Sequence, residues 1–185
     1  MPLFITRHRY GLLSAVVMAI AMTATGCQVE RPDAPTPSID AAKALTQLKS
    51  LPSLEDTQTA VQNAMNEIAS AATKSDPSIS FLPMHGEDTG NCETPYEQTD
   101  GKRVFLPNFV AEGARVSEPG WATILAAARA AARKIGATEV QVMKDQPSNH
   151  DVGYYGPTGI FIKVAYKGNL VVSGYTGCRL PQNKK

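Results

Sequence analysis

Few residues in this chain can do chemistry. Beyond the first 26 positions there are two histidines, each beside carboxylates: His85-Gly86-Glu87-Asp88 and His150-Asp151. Brought together, two imidazoles and neighbouring carboxylates would suit a divalent metal. Neither pair has the helical i, i+4 ligand spacing, so the simpler reading is two solvated loops and no metal. Ser148, His150 and Asp151 are the residue types of a hydrolytic triad. A triad needs its serine on a strained turn beside oxyanion donors, and the chain has no GxSxG. Side chains of an adjacent His and Asp also diverge on most backbones. Phosphate-cradling glycine loops of the GxxxxGK[ST] or GxGxxG kind are absent, so no cofactor is expected. The most unusual stretch is Gly153-Tyr154-Tyr155-Gly156-Pro157-Thr158-Gly159. It reads either as an exposed loop presenting Tyr154 and Tyr155 to a partner or glycan, or as a tight turn packed back on a sheet edge.

The start of the chain points to a compartment. Arg7 and Arg9 form a short basic region, and Tyr10 to Met22 is uncharged and apolar. Thirteen helical residues span roughly 20 Å, short of the ~30 Å of a bilayer core, so residues 1–26 read as an export signal and not a membrane span. Ala24-Thr25-Gly26-Cys27 resembles the bacterial lipobox, in which the cysteine receives diacylglycerol and becomes the first residue after cleavage. Ala24 stands where that motif more often has Leu. Cys27 is therefore the expected lipidation site, and two or three palmitate-type chains would anchor it stably where one would be marginal. Removing residues 1–26 leaves 159 residues with 16 basic and 17 acidic side chains. A net charge near −1 offers no electrostatic capture of nucleic acid.

Cys92 and Cys178 remain as an even pair in an exported chain. Neither lies in a CxxC or beside a histidine, which argues against a metal ligand or an activated thiolate and for a disulfide. The bridge would close a separation of 86 residues.

The elements that must position these residues follow from pattern. The overall composition, 43% hydrophobic and 19% charged, is that of a globular domain. Residues 27–38 combine the acylated cysteine with prolines at 32, 35 and 37, an extended tether. Ile39, Ala42, Leu45 and Leu48 predict a modest helix broken at Pro52. Ser53 with Asp56 predicts a cap opening a second helix, whose face of Leu54, Val61, Ala64, Met65, Ile68 and Ala72 fades near Lys74. Alternation predicts a strand over 78–84, confined to an edge by Pro83. Residues 85–98 read as polar and turn-rich. A second strand is expected over 103–110, with a bulge or edge position at Pro107. Trp121, Ile124, Leu125, Ala128, Ala132 and Ile135 mark one stripe of a helix over 118–135, with Pro119 in its first turn and Gly136 past its end. Trp121 is expected in that helix's core. Strands are expected over 139–143, 160–166 and 170–175, the last two joined as a hairpin at Gly168-Asn169. A two-residue loop there would set Val164 opposite Ser173, an uncomfortable core partner, so a bulged register is a second option. The fold class is α+β: a largely antiparallel sheet of about five strands with helices on one face. One domain covers 39–180, and 181–185 form a tail.

These features occur together in a recognisable order: the lipobox, Gly90-Asn91-Cys92, an Ala-rich helix ending Gly136-Ala137-Thr138, His150-Asp151-Val152 before a glycine-containing turn, and a final strand running Ser173-Gly174 to Cys178. In this the chain resembles the LppA-like family of mycobacterial lipoproteins. The resemblance implies Cys27 as the acylated residue and Cys92–Cys178 as a bridge, and it brings no activity. The expected protein is a cell-envelope lipoprotein on the extracytoplasmic side of the cell membrane. It would be non-enzymatic, a binding or interaction module for an envelope protein, lipid or glycan. The alternative is a small envelope hydrolase or metal-dependent enzyme using His85, His150 and Asp151.

Overall fold

A computed structural model describes residues 36–185. The signal segment, Cys27 and most of the tether lie outside the described residues. The described chain forms three helices, α1 (Ser38–Ser50), α2 (Leu54–Ser75) and α3 (Glu118–Lys134). It also forms eight strands: β1 (Leu82–Met84), β2 (Asp88–Asn91), β3 (Lys102–Phe105), β4 (Asn108–Ala111), β5 (Glu139–Gln146), β6 (Asn149–Tyr155), β7 (Phe161–Lys167) and β8 (Asn169–Tyr175). All pairings are antiparallel, in the order β1-β4-β8-β7-β6-β5, with β3 also on β8 and β2 on β3. The α+β architecture is as the sequence predicts, with more strands than the expected five.

α2 and α3 start where side chains satisfy their free amides. Ser53 accepts from the Asp56 amide at 3.0 Å, and Ser117 accepts from that of Gly120 at 3.2 Å. Beyond α3, Gly136 takes φ +76°, and the Ala137 amide bonds back to the Ala132 carbonyl at 2.9 Å. That is the left-handed C-terminal cap for which glycine is best suited. α2 and α3 cover one face of the sheet, α2 over β8 and α3 over β7 and β6. The core between them contains Val61, Met65, Ile68, Ile124, Ile162, Val164, Leu170 and Val172. Gly174 allows the close approach of α2: a Cβ there would stand 2.7 Å from Val61 Cγ1.

Three local expectations are revised, and two open readings are resolved. Only 82–84 of the first alternating segment is strand; Ile79 is buried in the preceding loop, where its amide bonds to the Asp76 carbonyl and its own carbonyl accepts from Thr73. The segment over 103–110 divides into β3 and β4 at Leu106-Pro107, and both halves follow β8. The polar region after His85 contains β2, and the Gly153-Tyr154-Tyr155 stretch, read as either an exposed loop or a tight turn at a sheet edge, belongs to β6 at an interior position of the sheet. The hairpin register is shifted from that of a two-residue loop, pairing Val164 with Val172 and Ser173 with Lys163. A one-residue slip moves every side chain to the other face, so the apolar pattern overrides the two-residue turn.

α1 belongs to a second, smaller core. Leu48, Leu180, Cys92 and Cys178 are buried together, with Leu45, Leu51 and Tyr96 packed around them. Cys92 and Cys178 form the disulfide, with Cα atoms 5.5 Å apart. Gly101 lies against it; a Cβ there would fall 2.6 Å from Cys178 Sγ and 2.9 Å from Cys92 Sγ. The bridge closes an 86-residue separation, worth ~4.5 kcal/mol in the chain-entropy model. Replacing both cysteines by alanine is expected to lower the unfolding free energy by about 2–5 kcal/mol, read as a reduced urea midpoint. An unchanged midpoint would show that the small core holds without its covalent link.

Candidate functional site

His150 lies on the helix-facing side of β6 and is only 4% exposed. Its ring stacks on Trp121 of α3, with centroids 4.5 Å apart and planes 10° from parallel. Nδ1 meets Asp145 Oδ1 at 3.1 Å, and Nε2 meets Glu118 Oε2 at 3.2 Å. Both ring nitrogens are therefore engaged, by carboxylates from two different elements. Because the nitrogens point apart, the three groups cannot converge on one ion. Glu118 also accepts the Ser148 amide at 3.0 Å, from the β5–β6 turn where Ser148 takes φ +59°. That amide first, and His150 second, hold the Glu118 carboxyl below its ordinary range. The arrangement fastens the β5–β6 hairpin to the first turn of α3. Ser148 takes part through its backbone, not as a nucleophile.

The other chemically capable residues are dispersed. Asp151 follows His150 along β6 and points to the opposite face, where it pairs with Lys163 at 2.9 Å. His85 takes φ +63° just beyond β1, and β4, β8 and β7 intervene between β1 and β6 in the sheet order. Two-histidine ligation and the Ser148-His150-Asp151 triad are thus not assembled. Among the described residues no group of three His, Cys, Asp or Glu has metal-binding geometry.

Tyr154 and Tyr155, for which an exposed loop and a turn packed on a sheet edge are the two sequence readings, belong to an interior strand and so alternate between its faces. Tyr154 is 1% exposed against the helices, its hydroxyl directed at the Leu125 carbonyl at 3.4 Å, and burial pushes its phenol upward. Tyr155 emerges on the opposite face, the side away from α2 and α3. It opens a row of aromatic rings that crosses β6, β7, β8 and β3. Tyr155 lies 4.7 Å from Phe161, Phe161 4.7 Å from Tyr175, and Tyr175 5.4 Å from Phe105. The Arg103 guanidinium stands 5.2 Å above the Phe105 ring and pairs with Glu93 at 2.6 Å.

Beside Tyr175 in this row is a pocket of about 380 Å³. Glu93, Tyr96, Arg103, Thr158 and Tyr175 line it together with the Cys92–Cys178 bridge. Two of its lining residues hold Arg179, which is itself 4% exposed: Nη1 donates to the Thr158 hydroxyl and, at 2.7 Å, to the Cys178 carbonyl. Arg179 has no carboxylate partner among the described residues, and loss of solvent lowers its guanidinium to about 10. Sequence reasoning missed Arg103 and Arg179. The one available signal was a charged residue at 179 between two core positions, Cys178 and Leu180.

The chain is similar to known proteins in family and fold. The model of the LppA family, described as a lipoprotein confined to pathogenic Mycobacterium, matches residues 29–182. No curated protein shows significant similarity. The crystal structure of the lipoprotein LppA from Mycobacterium tuberculosis aligns with a TM-score of 0.56 at 14% identity, over 78% of this chain and 89% of that one. At that identity the likeness concerns the fold. A DUF4853 family protein from Actinomyces odontolyticus aligns with a TM-score of 0.48 at 19% identity, over 75% of this chain and 74% of that one.

Two variants test the His150 cluster. His150→Ala removes the ring under Trp121 and leaves two carboxylates without their partner; an unfolding free energy lower by about 2–4 kcal/mol is expected. The Ser148 amide holds the folded-state Glu118 carboxyl below its ordinary value, so its contribution is present above the ordinary glutamate range and is lost as pH falls through the folded value. Glu118→Gln should flatten the acid limb of a Tm-against-pH profile. Parallel acid limbs for the two proteins would deny Glu118 this role.

Proposed function

Because the chain belongs to the LppA family of lipoproteins, we propose that it is a lipid-anchored binding module of the cell envelope, with no catalytic step of its own. The observation that carries this reading is the face of the sheet away from α2 and α3. There, four aromatic rings run in contact toward a pocket with charged and hydroxylated walls. An apolar platform beside a few placed polar groups is the composition of a ligand site. The residues of the enzymatic alternative are either apart or, in the case of His150, tied up by packing and carboxylates. The anchor is acylated Cys27, reached through the proline-bearing tether, and it holds the module on the extracytoplasmic side of the cell membrane. The partner is an envelope lipid, glycan or protein.

Two experiments bear on this. Cys27→Ala should prevent lipid transfer and processing, giving a chain that keeps its apolar leader or is lost to the medium. A Cys27→Ala protein that partitions into detergent at the wild-type mature mass would refute the anchor. For the binding face, the protein is extracted from envelope membranes and its co-purifying molecules are identified by mass spectrometry. The wild type should carry a lipid, glycan or protein that the double variant Tyr155→Ala/Tyr175→Ala has lost. A bare wild-type protein, or equal loading of the two, counts against the module.

A further inference from the structure

We infer that the pocket beside the Cys92–Cys178 bridge is an oxyanion site, taking a phosphate-type head group whose apolar remainder lies along the Tyr175–Phe161–Tyr155 row. This rests on the reading of the same face as a binding surface and adds the charge class of the ligand. The argument begins with a charge count. Arg103 lines the pocket, Arg179 is held by two of its lining residues, and Glu93 is the only carboxylate among the lining residues. Arg179 is a buried cation without a counter-ion among the described residues, and its Nε has no hydrogen-bond partner. A charge taken out of water without a partner is costly, and an anion nearby relieves that cost more effectively in a desolvated setting than at an open surface.

Arg103 supplies the direct contact. Its Nη2 meets a single oxygen of Glu93, and its Nε has no partner. The guanidinium fork is matched to two oxygens of one oxyanion, so this one-point pairing leaves capacity unused. The Glu93 side chain is 76% exposed, which makes it a displaceable counter-ion. Stacking over Phe105 keeps the Arg103 plane oriented meanwhile.

The position of the site fits an amphiphile. The loop that carries Glu93 and Tyr96 also fixes the start of the domain: the Thr36 amide donates to Glu97 at 2.8 Å, and the Gln98 side chain donates to the Thr36 carbonyl. Thr36 is nine residues beyond Cys27. At no more than about 3.6 Å per residue, an anchor at Cys27 limits Thr36 to roughly 32 Å from the acylated residue. The oxyanion could therefore come from a membrane lipid or from a free phosphate ester; the recognising chemistry is the same.

The test is isothermal titration of the purified full-length protein in neutral detergent, with phenyl phosphate against benzyl alcohol. Phenyl phosphate should bind at least about tenfold more tightly. Arg103→Gln should weaken it about tenfold, Glu93→Gln should tighten it severalfold by freeing the fork, and Lys163→Gln, on the same face outside the pocket, should leave it unchanged. The opposite signs at Arg103 and Glu93 separate a charge effect from misfolding. Preference for benzyl alcohol would overturn the oxyanion site and spare the binding surface; binding of neither compound would remove both. Phenyl phosphate binding unaltered by Arg103→Gln would also overturn the inference. Competition then identifies the source. Displacement by micelles doped with phosphatidylglycerol but not phosphatidylcholine supports a lipid head group, and displacement by inorganic phosphate alone supports a soluble ester.

Discussion

The bridge between Cys92 and Cys178 constrains more of the molecule than its two residues suggest. It joins the segment after β2 to the end of β8, and its sulfurs are the centre around which Leu48, Leu180 and Tyr96 pack. α1 has little to bury itself against except this cluster. The same sulfurs force glycine at 101 and form part of the pocket wall, and the backbone of Cys178 accepts from Arg179. A covalent link therefore does here what a larger core does elsewhere: it gives a short helix, a chain end and a polar loop one common attachment. The larger core between the sheet and α2/α3 contains neither sulfur.

The two faces of the sheet divide the work. One is closed by α2 and α3, whose small residues Ala64, Ala128, Ala131 and Ala132 let the helices lie close to one another and to the strands. The other has no helix over it among the described residues and relies on its own side chains. There the aromatic rings shield one another in stacked and tilted contacts, and Asp151 with Lys163 closes the polar part. A surface that protects itself by ring-on-ring contact remains available to a ligand, which a face under a helix is not. β5, at one edge of the sheet, is exposed along its whole length, and its charged residues Glu139, Lys144 and Asp145 with the irregular register at Val142/Lys144 are features that discourage pairing with another strand.

His150 shows how a residue with catalytic capacity can serve architecture. Its ring replaces an aromatic partner for Trp121, and its nitrogens join α3 to the β5–β6 turn. The adjacent Asp151, which a linear reading groups with it, is on the other side of the sheet because a strand alternates. The same alternation separates Tyr154 from Tyr155 and explains why one is core and the other surface.

The sequence by itself determined the α+β class, the three helices with the serine cap at 53 and the glycine stop at 136, the disulfide as the simplest use of Cys92 and Cys178, and membership of a lipoprotein family. These depend on short-range signals: helical period, cap chemistry, an even pair of cysteines, and the order of local motifs. Tertiary structure alone decided β2 and β6, the division of 103–110 at Pro107, and the hairpin register, because each is settled by neighbouring strands. β6 reads as a polar glycine-bearing loop until β5 and β7 supply its hydrogen bonds. The pocket was equally hidden. Glu93, Arg103, Thr158, Tyr175 and Arg179 are spread over 87 positions and show no common spacing. Only the pairing of β3 with β8 and the closure of the disulfide bring them to one place, and no local pattern encodes a contact made by chain segments so far apart.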